Sequence, residues 1–284
     1  MIDRRLFIGG VFVTGAALAS PARAHDAQAA LADLEKSLGA RLGVAFRDTG
    51  TGAQISYRAD ERFPLTSTFK FLAAAAVLAK VDAGEEQLDR RVRFQKSDLV
   101  TYSPATENHA GDGMMLAEIC EAAITLSDNT AGNLMLAAIG GPEGLTRFAR
   151  KLGDEVTRLD RIETALNEAS PGDPRDTTSP SAMLGNLEKL LLGDALETAS
   201  RARLTDWLVA NKTGGKRLRA GLPGGWRVGD KTGAGGNGAT NDIAIAWPAG
   251  GKPILITAYL TQCDRSMDVR SEALAEVARI LTEH

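Results

Sequence analysis

Short strand-forming segments stand at both ends of this chain, and a long helical stretch separates them. Near the start, Leu42–Phe46 and Ala53–Tyr57 flank Asp48-Thr49-Gly50-Thr51-Gly52, whose residue types make a turn, so the two segments form a hairpin. Towards the end, Trp226–Asp230, Ile243–Trp247 and Pro253–Leu260 have strand composition, the last two joined across Pro248-Ala249-Gly250-Gly251. From about residue 64 to 210 the pattern is helical, punctuated at Gly84, Gly140-Gly141-Pro142, Gly153 and Gly193. Helices are also expected over Gln28–Leu38 and Val269–Leu281. Strands drawn from two distant stretches must find their partners in one another, which predicts a five-stranded antiparallel sheet flanked by the terminal helices. The fold class is therefore α/β plus an all-α lobe: 25–60 and 211–284 build the α/β part, and 61–210 is the inserted helical domain. A ligand site is expected between the two lobes.

Within the helical block, Thr66-Ser67-Thr68-Phe69-Lys70 runs into Phe71-Leu72-Ala73-Ala74-Ala75-Ala76-Val77-Leu78. Alanine and leucine favour helix and the run has no polar stripe, so it predicts a buried helix. Pro64 lies just upstream and Thr66 or Ser67 is a natural N-cap, so the helix is expected to begin at Ser67. Residues three apart share a helix face, which stacks the Lys70 amine one turn from the Ser67 hydroxyl. The Ser67 N–H would be one of the unpaired donors of the first turn. A nucleophile, an amine and an oxyanion donor would then sit within one turn of chain.

Residues 1–24 have the pattern of an export signal. Arg4-Arg5 precede the apolar segment Leu6–Leu18, too short to span a bilayer, and Ala22-Arg23-Ala24 is an Ala-x-Ala cleavage site. Asp3-Arg4-Arg5-Leu6-Phe7-Ile8 also resembles a twin-arginine (Tat) signal, although paired arginines are common in any such region. No later stretch is apolar enough for an anchor, so a soluble periplasmic monomer is expected. Net charge −3 and pI about 5.7 leave no basic stripe for nucleic acid. Cys120 and Cys263 could pair in an oxidising compartment, but Cys120 lies in the apolar run Met114–Ile124, where a buried free thiol is the simpler expectation. Of three histidines, only His109 is internal, so neither a zinc site nor a well-supported Ser-His-Asp triad can be assembled. If Ser67 is a nucleophile, its base is Lys or Glu, and no cofactor is expected.

A Ser-x-x-Lys match alone is expected by chance about once in a chain of this size. Two rarer tripeptides follow it in order: Ser127-Asp128-Asn129, and Lys231-Thr232-Gly233 at the end of an expected strand. This ordered set is the signature of serine β-lactamases and penicillin-binding proteins. The irregular segment Arg158–Asp176 adds Glu163-Thr164-Ala165-Leu166-Asn167 between Arg161 and Asp176. Over essentially the whole chain after the signal, the sequence resembles a class A β-lactamase.

That resemblance implies roles, position by position. Ser67 would attack the β-lactam carbonyl, and Lys70, or Glu163 through a water, would take its proton. The N–H groups of Ser67 and Ala234 would form the oxyanion hole. Ser127 would pass a proton to the departing ring nitrogen beside Lys231. Glu163 and Asn167 would hold the water that hydrolyses the acyl-enzyme. Asn129 would bind the substrate acylamide and Tyr102 would form a wall. Lys231, Thr232 and Gly233 would line the place for the substrate carboxylate. Relatives often add an arginine at a position occupied here by Thr240, and Arg217 matches the place from which other branches supply that charge. The resemblance also implies an Ω-shaped loop over 158–176, tied at its base by Arg161 and Asp176. Thr240-Asn241-Asp242-Ile243-Ala244 looks like the extended-spectrum cephalosporinase branches. Thr66 and Gly235 stand where class A carbapenemases carry a bonded cysteine pair.

Each residue has a plainer reading. Ser67 could be a cap, Lys70, Glu163 and Arg217 solvated charges, Tyr102 and Trp226 core aromatics, and Ser127 or Asp128 the cap of a helix over Asn129–Ile139. Gly233-x-Gly235-x-x-Gly238 formally matches a dinucleotide fingerprint but leads into a strand, and its glycines are expected to let substrate lie near strand backbone. Two other functions would suit the same motifs: a D,D-peptidase of the cell wall, or a non-catalytic β-lactam sensor. The Glu163 segment and the lack of an anchor argue against the first, and the lack of a transmembrane signalling segment against the second.

Overall fold

The computed structural model describes residues 21–282, so most of the export-signal pattern at 1–24 lies outside the described residues. The first helix, α1, is Pro21–Leu38. It leads into β1 (Arg41–Asp48) and β2 (Gln54–Tyr57), a hairpin that pairs Val44 with Tyr57 and Arg47 with Gln54. The helical block follows as α2 (Phe69–Asp82), α3 (Leu116–Thr125), α4 (Asn129–Ile139), α5 (Gly141–Lys151), α6 (Pro180–Leu191) and α7 (Thr198–Val209). After the short α8 (Leu218–Gly221) come β3 (Arg227–Ala234), β4 (Thr240–Trp247), β5 (Ile254–Thr261) and α9 (Met267–Thr282). The sheet order is β2-β1-β5-β4-β3, with every neighbouring pair antiparallel. The N-terminal hairpin therefore docks on the last strand, as the strand pattern requires. Two miniature ladders also lie in the helical stretch, Phe63–Pro64 with Thr177–Thr178 and Arg91–Val92 with Met114–Met115.

Side chains of a strand alternate between faces, and here the alternation sorts the apolar residues into two cores. Ile243, Ile245, Leu255 and Tyr259 face the helical block, joining α2, α3, α4 and α6 in one cluster. Leu42, Val44, Phe46, Ala244, Ala246, Ile254 and Ile256 face the other way, onto α1 and α9. The helical block thus shares its core with one sheet face. Cys120 belongs to the first cluster and Cys263 to the second, so the sheet separates them and both are free. Burial pushes the Cys120 thiol up, so it is inert as a thiolate.

The helix that carries the apolar run differs from expectation at its start. Thr66–Thr68 is a turn of 3₁₀ helix, and the α-helix begins at Phe69. Neither Thr66 nor Ser67 caps it with a side chain. The Thr66 hydroxyl turns away to Asn241 on β4 (3.0 Å), and Thr68 Oγ1 donates to Leu65 O (2.7 Å). Behind that turn every residue from Phe69 to Leu78 is buried, as the unbroken apolar run predicts.

Candidate active site

The site is built from four segments that converge at the junction of the lobes. The 3₁₀ turn and first residues of α2 supply Ser67 and Lys70. Both side chains are enclosed by what packs around α2, and Gly132 on α4 makes the room, since a Cβ there would come within 2.8 Å of Lys70 Cε. Lys70 Nζ donates to Ser67 Oγ (2.9 Å), Ser127 O (2.9 Å) and Asn129 Oδ1 (2.7 Å), and lies 2.9 Å from Glu163 Oε1. Burial pushes the Lys70 amine below the ordinary lysine range, while the Glu163 and Asp128 carboxylates pull it back up.

The second segment leads into α4. Asp128 caps that helix by accepting from Ala131 N (2.8 Å), and also holds Ala105 N and Thr106 N (3.0 and 2.9 Å). Ser127, at φ 60°, accepts at Oγ from Lys231 Nζ (3.0 Å). Asn129 is buried, with Nδ2 on Thr101 O (2.8 Å) and its N–H on Tyr102 O (2.9 Å). Tyr102 itself is 57% exposed, so it is not a core aromatic, whereas Trp226 packs against the cluster beneath α1 and α9.

The third segment is the loop 158–176, irregular except for a 3₁₀ turn at Ala165–Asn167. Asp176 closes its base, accepting from Asp160 N (2.8 Å), Arg161 N (2.9 Å) and Arg161 Nε (2.6 Å). Glu163 is buried within it. Its Oε1 accepts directly from Ser67 Oγ at 3.3 Å, and its Oε2 accepts from Asn167 Nδ2 at 2.5 Å. Asn133 on α4 grips the Glu163 backbone from both sides, accepting from its N–H (2.8 Å) and donating to its C=O (3.0 Å).

β3 is the fourth wall and runs four residues further than expected, carrying Lys231, Thr232, Gly233 and Ala234 within the strand. Lys231 is fully buried, and burial together with the neighbouring Lys70 charge pushes its amine well down. Thr232 Oγ1 meets Thr213 Oγ1 at 2.5 Å. Gly233 packs on the Thr66–Thr68 turn so tightly that a Cβ would come 2.1 Å from Thr66 Oγ1 and 3.2 Å from Ser67 N. Gly235 and Gly236 serve the loop rather than a ligand: Cβ atoms there would strike Asn167 O (2.7 Å) and Glu168 O (2.4 Å), and Gly236 N donates to Asn167 O (2.8 Å). Arg217 is not the surface residue its charge suggests. It is 9% exposed, and its Nη1 donates to Gly233 O (2.8 Å) and Asn241 O (2.7 Å). One terminal nitrogen is thus already spent on main chain, and no open fork of both faces the site.

Ser67, Lys70, Ser127, Asn129, Glu163, Asn167, Lys231 and Thr232 are thereby joined by a continuous set of polar contacts, flanked by Gly233 and Ala234. Tyr102 is at the rim and Arg217 behind the strand. A family model for the β-lactamase enzyme family matches residues 26–284. This chain belongs to that family. β-Lactamase OXY-1 of Klebsiella oxytoca is 52% identical over 262 residues, 92% of this chain and 90% of its own length. β-Lactamase CTX-M-8 of Citrobacter amalonaticus is 50% identical, with the same coverage. Among solved structures, an ancestral (GNCA) class A β-lactamase matches with TM-score 0.89 at 65% identity, over 90% of this chain and 99% of that one. A putative class A β-lactamase, PenP from Rhodopseudomonas palustris, matches with TM-score 0.89 at 60% identity, over 90% and 98%. The chain is thus a class A β-lactamase in sequence and fold. Within this β-lactamase, sequence reasoning missed the contacts of Gly132, Asn133 and Thr213, single residues with no motif of their own, and the contact that Asn241 makes from within the Thr240–Ala244 run. Thr66 and Gly235, the pair that in carbapenemases would be cysteines, do face each other: a Gly235 Cβ would lie 2.9 Å from Thr66 Cγ2.

Proposed function

We propose that the chain hydrolyses the β-lactam amide of penicillins and cephalosporins through an acyl-enzyme on Ser67. The observation that carries this is the triangle of Ser67 Oγ, Lys70 Nζ and Glu163 Oε1, with sides of 2.9, 2.9 and 3.3 Å. A hydroxyl hydrogen-bonded to both an amine and a carboxylate can lose its proton as it attacks, and each partner can act as its base. Oγ adds to the β-lactam carbonyl carbon, and the oxyanion accepts from the N–H groups of Ser67 and Ala234. Donors of this kind are worth about 3–4 kcal/mol each. The C–N bond then breaks, and the ring nitrogen takes a proton from Ser127 Oγ–H, which Lys231 Nζ supports from 3.0 Å and which the proton removed from Ser67 replaces.

Acylation ends the Ser67 donation to Glu163, leaving the carboxylate facing the ester. A water held between Glu163 and Asn167 gives a proton to Glu163 and adds to the ester carbonyl; the C–O bond to Ser67 then breaks, and Glu163 returns the proton to Ser67 Oγ, which releases the acid and restores both groups. Lys231, Thr232 and Gly233 line the place for the substrate carboxylate. Arg217 adds positive potential there from behind the strand. The second Nδ2 proton of Asn129 serves the acylamide, and Tyr102 forms the outer wall. The division into 25–60 with 211–284 and 61–210 puts this chemistry where the lobes meet.

Export to the periplasm as a monomer, by the general or the twin-arginine route, is part of the same reading and rests on residues 1–24. Among the described residues no helix is long and apolar enough to cross a membrane. Purified residues 25–284 should hydrolyse a chromogenic cephalosporin, and Ser67→Ala should abolish turnover. The absence of hydrolysis across several penicillins and cephalosporins would overturn the proposal.

A further inference from the structure

Asn241 belongs to the sheet, yet its side chain acts on the other lobe. It lies on β4 opposite Gly233 of β3 and Tyr259 of β5, and is fully buried. Its Nδ2 donates to Pro64 O (2.8 Å), Leu65 O (3.2 Å) and Thr66 Oγ1 (3.0 Å), which are the three residues before Ser67. Two carbonyls ahead of the amide fix its orientation, because only its N–H side can face them. The other end, Oδ1, is then buried without a partner, which disfavours folding.

What the amide secures is an unfavourable conformation. Thr66 sits at φ 44°, in the left-handed region that a β-branched residue avoids. That backbone rotation sets where Ser67 begins, and hence where its N–H and Oγ point. Its surroundings hold it from three sides. Asn241 ties the hydroxyl and the two preceding carbonyls, Gly233 and Gly235 press against the Thr66 side chain, and Arg217 Nη1 fastens the carbonyls of Gly233 and Asn241 to each other's level. A strained residue and an orphaned acceptor both lie one step from the nucleophile, where precision of placement is worth more than stability.

We propose that Asn241 is a positioning residue: its side-chain amide clamps Pro64–Thr66 across the lobe junction and so aims Ser67 at the substrate carbonyl. The inference rests on Ser67 being the nucleophile, as proposed above. Pre-steady-state acylation by a chromogenic cephalosporin, at a temperature where every variant is folded, tests it. Asn241→Ala should acylate at least about tenfold more slowly, since a misplacement of about 1 Å can cost ~10²-fold. The dissociation constant of the non-covalent complex should change far less. Leu187→Ala, a cavity in the helical core away from the site, provides the comparison: it should lose as much or more Tm and yet acylate within about twofold of wild type. Thr66→Ala removes one of the three acceptors and should slow acylation less, and the double variant should be no slower than Asn241→Ala alone. Should Asn241→Ala fail to fold, Thr66→Ala alone decides, with an unchanged acylation rate overturning the inference. The inference also falls if Asn241→Ala acylates like wild type or is slowed no more than Leu187→Ala. Turnover retained by Ser67→Ala would sink the Ser67 reading itself, a distinct result.

Discussion

Ser67 and Lys70 stand on the turn and first residues that open an apolar helix, whereas Glu163 stands on a loop with hardly a regular turn, and the same 3 Å triangle joins them. Residues 69–78 are buried without exception and held by a core that spans α2, α3, α4 and α6. Residues 158–176 are held by directional contacts: Asp176 at the base, Arg161 paired with both Asp176 and Glu168, and Asn133 on the Glu163 backbone. Dispersion and burial are shared among many contacts, so no one of them controls the placement of Lys70. A hydrogen-bonded loop concentrates its placement in a few donors and acceptors, and loses it when one is removed. The difference teaches that the half of the site around Lys70 is placed by many shared contacts, and the half around Glu163 by a few directional ones.

The sharpest way to separate the halves is to remove the carboxylate. Glu163→Ala should still be acylated by a penicillin or cephalosporin, with hydrolysis of the ester slowed ~10²–10⁴-fold, the usual contribution of a general base. Mass spectrometry should find the protein increased by the mass of the intact substrate. If no adduct accumulates, Glu163 does not direct the water and the division into halves fails.

A smaller effect should follow from loosening the loop while leaving its chemistry intact. Asp176→Ala deprives two backbone N–H groups and the Arg161 guanidinium of their common acceptor. Leaving such donors unsatisfied should lower stability by about 2–3 kcal/mol, measured by denaturant unfolding. Deacylation should slow before acylation does, because Ser67 and Lys70 keep their own supports. Equal slowing of both steps would mean that the two halves are mechanically one.

The same contrast explains what the sequence made legible. Strand composition and turn residues marked all five sheet strands, and the unpolarised run Phe71–Leu78 marked the buried helix. These are signals repeated over many residues. The ordered motifs then located the polar contacts of the site, including Glu163 in a segment with no periodicity. What stayed hidden depends on single tertiary contacts. The Thr66 hydroxyl had two possible uses, as a helix cap or as a partner for Asn241, and the contact across the lobes won. Arg217 read as charge and proved to be a buried brace of two strands. Asn133 and Gly132 carry no local pattern, because what they do is set by the loop and the lysine that happen to lie opposite.

The smallest and most discriminating effect lies in the pH dependence of acylation. Burial lowers the Lys70 amine from its ordinary 10.5, and the Glu163 carboxylate, by its charge and hydrogen bond, raises it part of the way back. As a base Lys70 must be neutral, so acylation should decline as pH falls through its value. In Glu163→Gln the raising influence is gone, and this acid limb should move to lower pH. Stability should follow with a definite sign. The unfolded chain binds the Lys70 proton more tightly than the folded one, so between the folded value and 10.5 stability rises with pH, and below the folded value the penalty is complete. Removing the Glu163 charge lowers the folded value and widens that window, so in the variant Tm should climb over a wider pH range and by a larger total. Single-turnover acylation across pH, with Tm on the same samples, checks both. If Glu163 were instead the acylation base, Glu163→Gln would slow acylation at every pH and show no displaced limb, and the half of the site around Lys70 would not act without the loop.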